Sequence, residues 1–310
     1  MKLIKIIFLF LILLLNFNNY SFSIENKILI KIDNEIITTL DIFNESKYLA
    51  TLNPKIQELE ENEIYKIAKN NLIREIIKKK EILGKIGKIE IKDQYLDQVV
   101  KSNYTRLNVN NYIDLKNYLE SKKIFYDNLK EKISIEIIWN QIIYNEFISK
   151  VKIDKEELIE NIKRIENQSI KSYLLSEIVF TINDSLKLEG DYLKIQKDID
   201  ELGFSNAAAI HSISSTSSIG GDLGWLNENA LNQNIISVLQ TLSIGENSKP
   251  ILTPSGFIIL KINDIKNIEN NVDINTEVEK LIKIKTNQQL NQYSNIYFNK
   301  VRKKFTINEL

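Results

Sequence analysis

The chain has 310 residues, 43% of them apolar and 26% charged, with 41 basic against 41 acidic side chains. That is enough chain for one large domain or two modest ones, and the balanced charge lacks the basic bias of a nucleic-acid binder. With no cysteine and a single histidine, His211, the sequence offers no disulfide framework and few metal ligands, so neither a metal nor a cofactor is expected.

Lys2 and Lys5 precede an unbroken apolar run from Ile6 to Leu15, and the polar stretch after it ends in Ser21-Phe22-Ser23. This pattern predicts a cleavable secretory signal peptide over residues 1–23. A membrane span needs about 20 apolar residues, so the run is too short to serve as one. The exported chain is therefore expected not to be an integral membrane protein. A retained N-terminal anchor is the rival reading.

Downstream, Ile28 to Ile32 and Glu35 to Ile37 flank Asp33-Asn34, which reads as a β-hairpin. Thr39 with Asp41 suits a helix start. Ile64, Ile67, Ala68, Leu72 and Ile76 form one apolar face of a helix from about Glu60 to Leu83. Lys78-Lys79-Lys80 reads as its solvated end, and Gly84 and Gly87 break the pattern. Further helices are predicted from Asp93 to about Lys101, from Tyr112, and between Tyr126 and Lys150. From Tyr173 the texture changes. Tyr173 to Phe180 reads as a strand, Leu186 to Leu202 as a helix, and Ser212 to Ser218 as a Ser-rich loop entering Gly220-Gly221. Asn232 to Leu242 is helical, and Phe257 to Ile262 is a buried strand. A last amphipathic helix spans roughly Thr276 to Lys303, and its apolar set from Val278 to Val301, Ile296 included, has to be buried against other parts of the chain. Phe305-Thr306-Ile307 suits a short strand beside the hairpin of 28–37.

Two segments carry a resemblance. Gly220-Gly221-Asp222-Leu223-Gly224-Trp225 followed by Thr253-Pro254-Ser255-Gly256-Phe257-Ile258-Ile259-Leu260 resembles the signature of parvulins, a family of prolyl isomerases. Ile32-Asp33-Asn34-Glu35-Ile36-Ile37-Thr38 with Asp41 resembles the opening of SurA-type periplasmic chaperones. The segment Val151 to Leu158 resembles their join into a first parvulin domain. The resemblance implies an α+β architecture of four parts. They are a signal peptide (1–23), a helical N-terminal domain with a β-hairpin (24–168), one parvulin-like α/β domain (169–268), and a C-terminal helix and short strand returning to the N-terminal domain (269–310).

Carried over by position, the pocket for a proline ring falls on Leu223, Leu231 and Ile235, with Trp225 and Phe257 beside them and Thr253 on its polar rim. The polar network of active parvulins falls on Glu177 and Ser214, and in this chain it would be rebuilt from Glu177, Ser214 and Thr253. Where the family has histidines, this chain has Glu177 and Ile258. Catalysing X–Pro rotation means favouring the twisted amide over either planar form, across a barrier of about 18–20 kcal/mol. Ile258 neither donates nor accepts a hydrogen bond. The resemblance thus implies a periplasmic chaperone whose clients are unfolded outer-membrane polypeptides, with an isomerase site that is degenerate. The alternative is a working prolyl isomerase with a rebuilt network. His211 reads as a structural residue beside the loop, since no Ser-His-Asp arrangement supports it.

Overall fold

The computed structural model describes residues 25–104, 107–124, 129–164, 169–182, 188–269 and 274–310; the leader expected over 1–23 lies outside them. It is a mixed helical and sheet protein. It has two sheets, and helices carry the rest.

The first sheet begins with β1 (Ile28–Ile32) and β2 (Glu35–Thr38), antiparallel around Asp33-Asn34. Asp33 sits at φ 51°, in the left-handed region that a tight hairpin turn demands and that Asp tolerates. The following helix, α1 (Thr39–Leu52), is capped by Thr38 rather than by Thr39. The Asp41 N–H donates to Thr38 Oγ1 (3.3 Å) and the Thr38 N–H donates to Asp41 Oδ2 (2.7 Å), a reciprocal box that satisfies two otherwise orphaned donors.

The helical part continues with α2 (Glu61–Ile86), α3 (Asp93–Asn103), α4 (Tyr112–Ser121) and α5 (Leu129–Phe147). α2 ends where Gly87 takes φ +79° and returns its N–H to the Leu83 carbonyl. Ile67, Ile77 and Ile82 of α2, Leu115 and Leu119 of α4, and Ile133, Ile135 and Trp139 of α5 share one core with the hairpin residues Ile30, Ile32 and Ile37. Burying each such side chain contributes about 1.5–3 kcal/mol. Charge is buried in this core too. Lys132 bridges Glu45, at 3.0 Å, and Glu75. Lys78, which is 6% exposed, bonds Glu136 at 2.7 Å. The Lys78-Lys79-Lys80 run is therefore not a solvated helix end. Lys79 pairs with Glu131 and Lys80 with Asp33, so all three cations tie α2 to its neighbours.

After α6 (Lys155–Arg164) comes the second sheet, antiparallel, with strand order β4-β3-β6-β5. Its centre is β3 (Ser169–Phe180), paired along its whole length with β6 (Gly256–Glu269). β4 (Asp222–Asn227) and β5 (Ile251–Thr253) form the edges. Side chains alternate across this sheet. Tyr173, Leu175, Val179, Ile258 and Leu260 bury one face, under Leu231 and Leu239. Ile178, Phe180 and Ile259 bury the other, under α7 (Leu188–Leu202) and α8 (Phe204–His211). α9 (Gln233–Leu239), capped by Asn232, closes the first face.

α10 (Ile274–Arg302) runs back across the molecule. Val278 and Leu281 pack on Leu158 and Ile162 of α6 and on Ala230, while Tyr297, Phe298 and Val301 enter the helical core. Ile296, expected among the buried set, is instead 40% exposed. The chain ends in β7 (Ile307–Glu309), antiparallel to β1. It thus lies two residues later than the sequence suggests and completes a sheet with β1 and β2. No helix among the described residues is long and apolar enough to cross a membrane.

Candidate functional site

Three side chains from β3 and the loop after α8 meet on one face of the second sheet. Ser214 Oγ donates to Glu177 Oε1 at 2.6 Å, Thr216 Oγ1 donates to the same oxygen at 2.9 Å, and the two hydroxyls lie 3.1 Å apart. Burial pushes the Glu177 carboxyl above the usual carboxylate range, and the hydrogen bonds from Ser214 and Thr216 pull it partly back. Sequence reasoning brought Glu177 and Ser214 together but overlooked Thr216. The signal for it was present as alternate hydroxyls in one loop turn, since Ser214 also caps the short 3₁₀ turn Ser215–Ile219.

The loop is held close by its backbone. The Glu177 N–H donates to the Gly221 carbonyl at 2.8 Å, and the Ile213 N–H donates to the Val179 carbonyl at 2.7 Å. Gly221 has φ +78°, and a Cβ there would stand 2.2 Å from the Glu177 carbonyl oxygen, so this approach admits only glycine. Gly220 is constrained likewise, at φ +73° against Ser205.

Beside this polar group, Leu223, Leu231 and Ile235 pack into the same apolar cluster as Val179 and Ile258. Three of the five residues assigned to the proline pocket are therefore contiguous with the polar network. The other two are not. Phe257 lies on the opposite face of the sheet, its ring stacked on Phe180 at 5.7 Å between centroids. The cause is strand parity, because Phe257 and Ile258 are neighbours on β6 and must point to opposite faces. Trp225 belongs to neither apolar cluster of the sheet. It is 39% exposed on edge strand β4, with Lys266 Nζ 3.9 Å from its ring centroid. Thr253 also stands apart. Its Oγ1 donates to the Gly256 carbonyl at 2.9 Å and meets Ser255 Oγ at 3.2 Å in the β5–β6 turn. Ile258 is 8% exposed and sits diagonal to Glu177 across the β3–β6 ladder.

Sequence reasoning also missed Arg74. It projects from α2, in the helical part, into the site loop. Its Nη1 donates to Ser217 Oγ at 2.6 Å and to the Ser214 carbonyl at 3.4 Å, and its Nη2 donates to the Ser212 carbonyl at 2.8 Å. Asn70, one turn earlier, donates to the Ile210 carbonyl at 3.2 Å. The cavity left at this joint is about 10 Å³, at most one water's room. Nothing in the sequence near Arg74 marks it, because its partners lie about 140 residues away. His211 is bonded to Asp198 at 2.6 Å; burial lowers its pKa and Asp198 opposes this. Its partner Asp198 lies on α7.

Residues 182–264 match the family described as Rotamase: PPIC-type PPIASE domain. The matched stretch of this PPIC-type domain holds Ser214, Leu223, Leu231, Ile235, Thr253 and Ile258, while Glu177 lies just before it. The chain is also similar to curated relatives named Chaperone SurA. That from Chromobacterium violaceum is 25% identical over 185 residues, 57% of this chain and 43% of the relative. That from Nitrosococcus oceani is 28% identical over 161 residues, 49% of this chain and 38% of the relative. The chain thus spans less than half the length of the curated relatives it matches. Among solved structures, a similar chain is described in work on PEB4 and Cj1289, two SurA-like chaperones of Campylobacter jejuni. It is 17% identical, with 92% of this chain and 99% of that one covered at a TM-score of 0.37.

Chemically, the site beside the Ser-rich loop offers an apolar floor and a partly buried carboxyl, one oxygen of which, Oε1, accepts from both hydroxyls. Among its described residues there is no imidazole aimed at the floor and no group of acids and histidines that would hold a metal.

Proposed function

We propose that this chain is a periplasmic chaperone that holds unfolded outer-membrane polypeptides, and that its PPIC-type domain serves as a binding scaffold rather than as an efficient isomerase. In this reading residues 24–168, 169–268 and 269–310 are the working parts of the exported protein, released from a signal peptide at 1–23. The likeness to Chaperone SurA over 57% of the chain supports the chaperone part. Barrel strands pair over long sequence separations and fold slowly, so such clients expose apolar faces and unpaired edges for long enough to need a holder.

The observation that carries the scaffold part is Ile258. By the resemblance a histidine belongs where this chain has Ile258, which is buried and neither donates nor accepts, and Glu177 Oε1 accepts from Ser214 and Thr216. The test is exchange NMR of cis–trans interconversion in a short X–Pro peptide. The expected result is no acceleration by the chain at catalytic concentrations. A second reading, an active prolyl isomerase, is favoured by the contiguity of Leu223, Leu231 and Ile235 with the carboxyl–hydroxyl network. Acceleration that an Ile235→Asp variant abolishes would establish that reading in place of ours.

A further inference from the structure

A second concave feature lies away from the PPIC-type site, between the β5–β6 turn and the C-terminal half of α10. The cleft has a volume of about 500 Å³, within the range of about 300–1,000 Å³ typical of ligand clefts. One wall is a stripe on α10: Ile296, Lys300 and Lys303, spaced four and three residues apart and so on one helix face. The other wall is Ile182, Pro254 and Phe257. None of the described residues that line the cleft is acidic.

We infer that this cleft binds an extended segment of an unfolded polypeptide in which acidic and apolar side chains alternate. The inference rests on the chaperone reading and names the client chemistry. Three observations carry it. Lys300 and Lys303 have no ion-pair partner among the described residues, whereas Lys304, next in the chain, is engaged by Glu81 at 2.8 Å. Ile296 is 40% exposed although it belongs to an otherwise packed apolar pattern, so the helix presents an apolar residue one turn before its free cations. β5 is the outermost strand of its sheet, with Leu252 74% exposed, so an extended chain has an unpaired backbone edge beside the cleft. Cations near a helix C-terminus also complement the helix dipole, but that role does not demand the aligned, exposed Ile296 one turn before them.

The test is fluorescence anisotropy of the full chain with a labelled ten-residue peptide alternating Phe or Leu with Asp or Glu, against the same peptide with Lys at the acidic positions. The native chain is expected to prefer the acidic peptide by about fivefold or more at low salt. Lys300→Gln with Lys303→Gln erases the preference, and Lys300→Glu with Lys303→Glu reverses it. Equal binding of the two peptides by the native chain, or a preference unchanged in both variants, overturns the inference. Suppression of aggregation of an unfolded barrel protein separates this from the parent reading. Suppression by native and charge-reversed chains alike, without peptide preference, overturns the cleft alone. A native chain that neither suppresses aggregation nor binds either peptide overturns both.

Discussion

Glu177 has a carboxyl that burial drives toward its protonated form while two hydroxyls favour the charged one, and burial is the larger effect. A folded pKa above the unfolded value means that the folded chain holds the proton more tightly. The stability gained this way is fully present below the unfolded pKa and is lost as pH rises through the raised folded value. A Glu177→Gln variant keeps an acceptor for Ser214 and Thr216 and does not titrate. Its melting temperature relative to the native chain is expected to increase from about pH 4 to about pH 8, as the native carboxyl is forced to ionise. A constant difference across that range would mean that the site is wetter than its geometry implies. Tyr297 is a second residue whose ionisation reports packing. Burial and its hydrogen bond to Glu81 push its phenol up to about 12, so no tyrosinate absorbance from it should develop in a titration until about two units past an ordinary tyrosine.

Among the elements, α2 matters most to the site, because it supports the helical core with one face and holds the site loop with Arg74. Removing that guanidinium leaves the Ser212 carbonyl and the Ser217 hydroxyl in a tight joint without the Arg74 donor, while the Ser214 carbonyl keeps its bond from the Ser217 N–H. Arg74→Ala is expected to cost roughly 2–3 kcal/mol and to raise hydrogen exchange over Ser212–Gly221, measured by mass spectrometry. Exchange unchanged in that segment would show that the glycine-mediated contacts to Glu177 suffice alone. α10 is fastened by aromatic rings. Trp139 on α5 lies 5.4 Å from Tyr297 and 6.2 Å from Phe298 by ring centroids, and its indole N–H donates to Ser294 Oγ at 2.9 Å. Trp139→Ala is expected to lose about 3–5 kcal/mol in urea unfolding, the cost of a large cavity plus an unpaired hydroxyl. Truncation after Arg302 would remove β7 and the Lys304–Glu81 contact, exposing the outer edge of β1, and should lower the melting temperature and promote association.

For the whole molecule, β7 joins β1 and β2 in one sheet while the PPIC-type domain is inserted between the helical segments. A client held by such a body meets several weak surfaces together, and linkage of weak sites raises overall affinity without any one being strong. Aggregation of an unfolded barrel protein, followed by light scattering with and without the full chain, is expected to fall in proportion to chain added, with no requirement for ATP. No effect at a several-fold excess would count against the chaperone reading. The balance of 41 basic and 41 acidic side chains means that any salt dependence of client binding must come from local groups such as Lys300 and Lys303 rather than from net charge.

Local chemistry by itself determined much of this protein. The helices α2 and α5 follow from apolar spacing and the first hairpin from Asp33-Asn34, while the domain class came from the resemblance carried by Gly220-Gly221 with Ser255-Gly256-Phe257. In each case the decisive interactions run between residues near in sequence, or in a segment whose backbone admits few alternatives. The pairing of Glu177 with Ser214, and the grouping of Leu223 with Leu231 and Ile235, were legible through the same signature. Tertiary structure alone decided the rest. Phe257 faces away from that group because strand parity is counted from a register that only pairing with β3 sets. Lys78 is buried because Glu136 arrives from another helix, and Ile296 is exposed because the turn of the second sheet stops short of it. Arg74 reaches the site loop across 140 residues of chain. Such contacts depend on where packed elements come to rest, and no local propensity encodes that position.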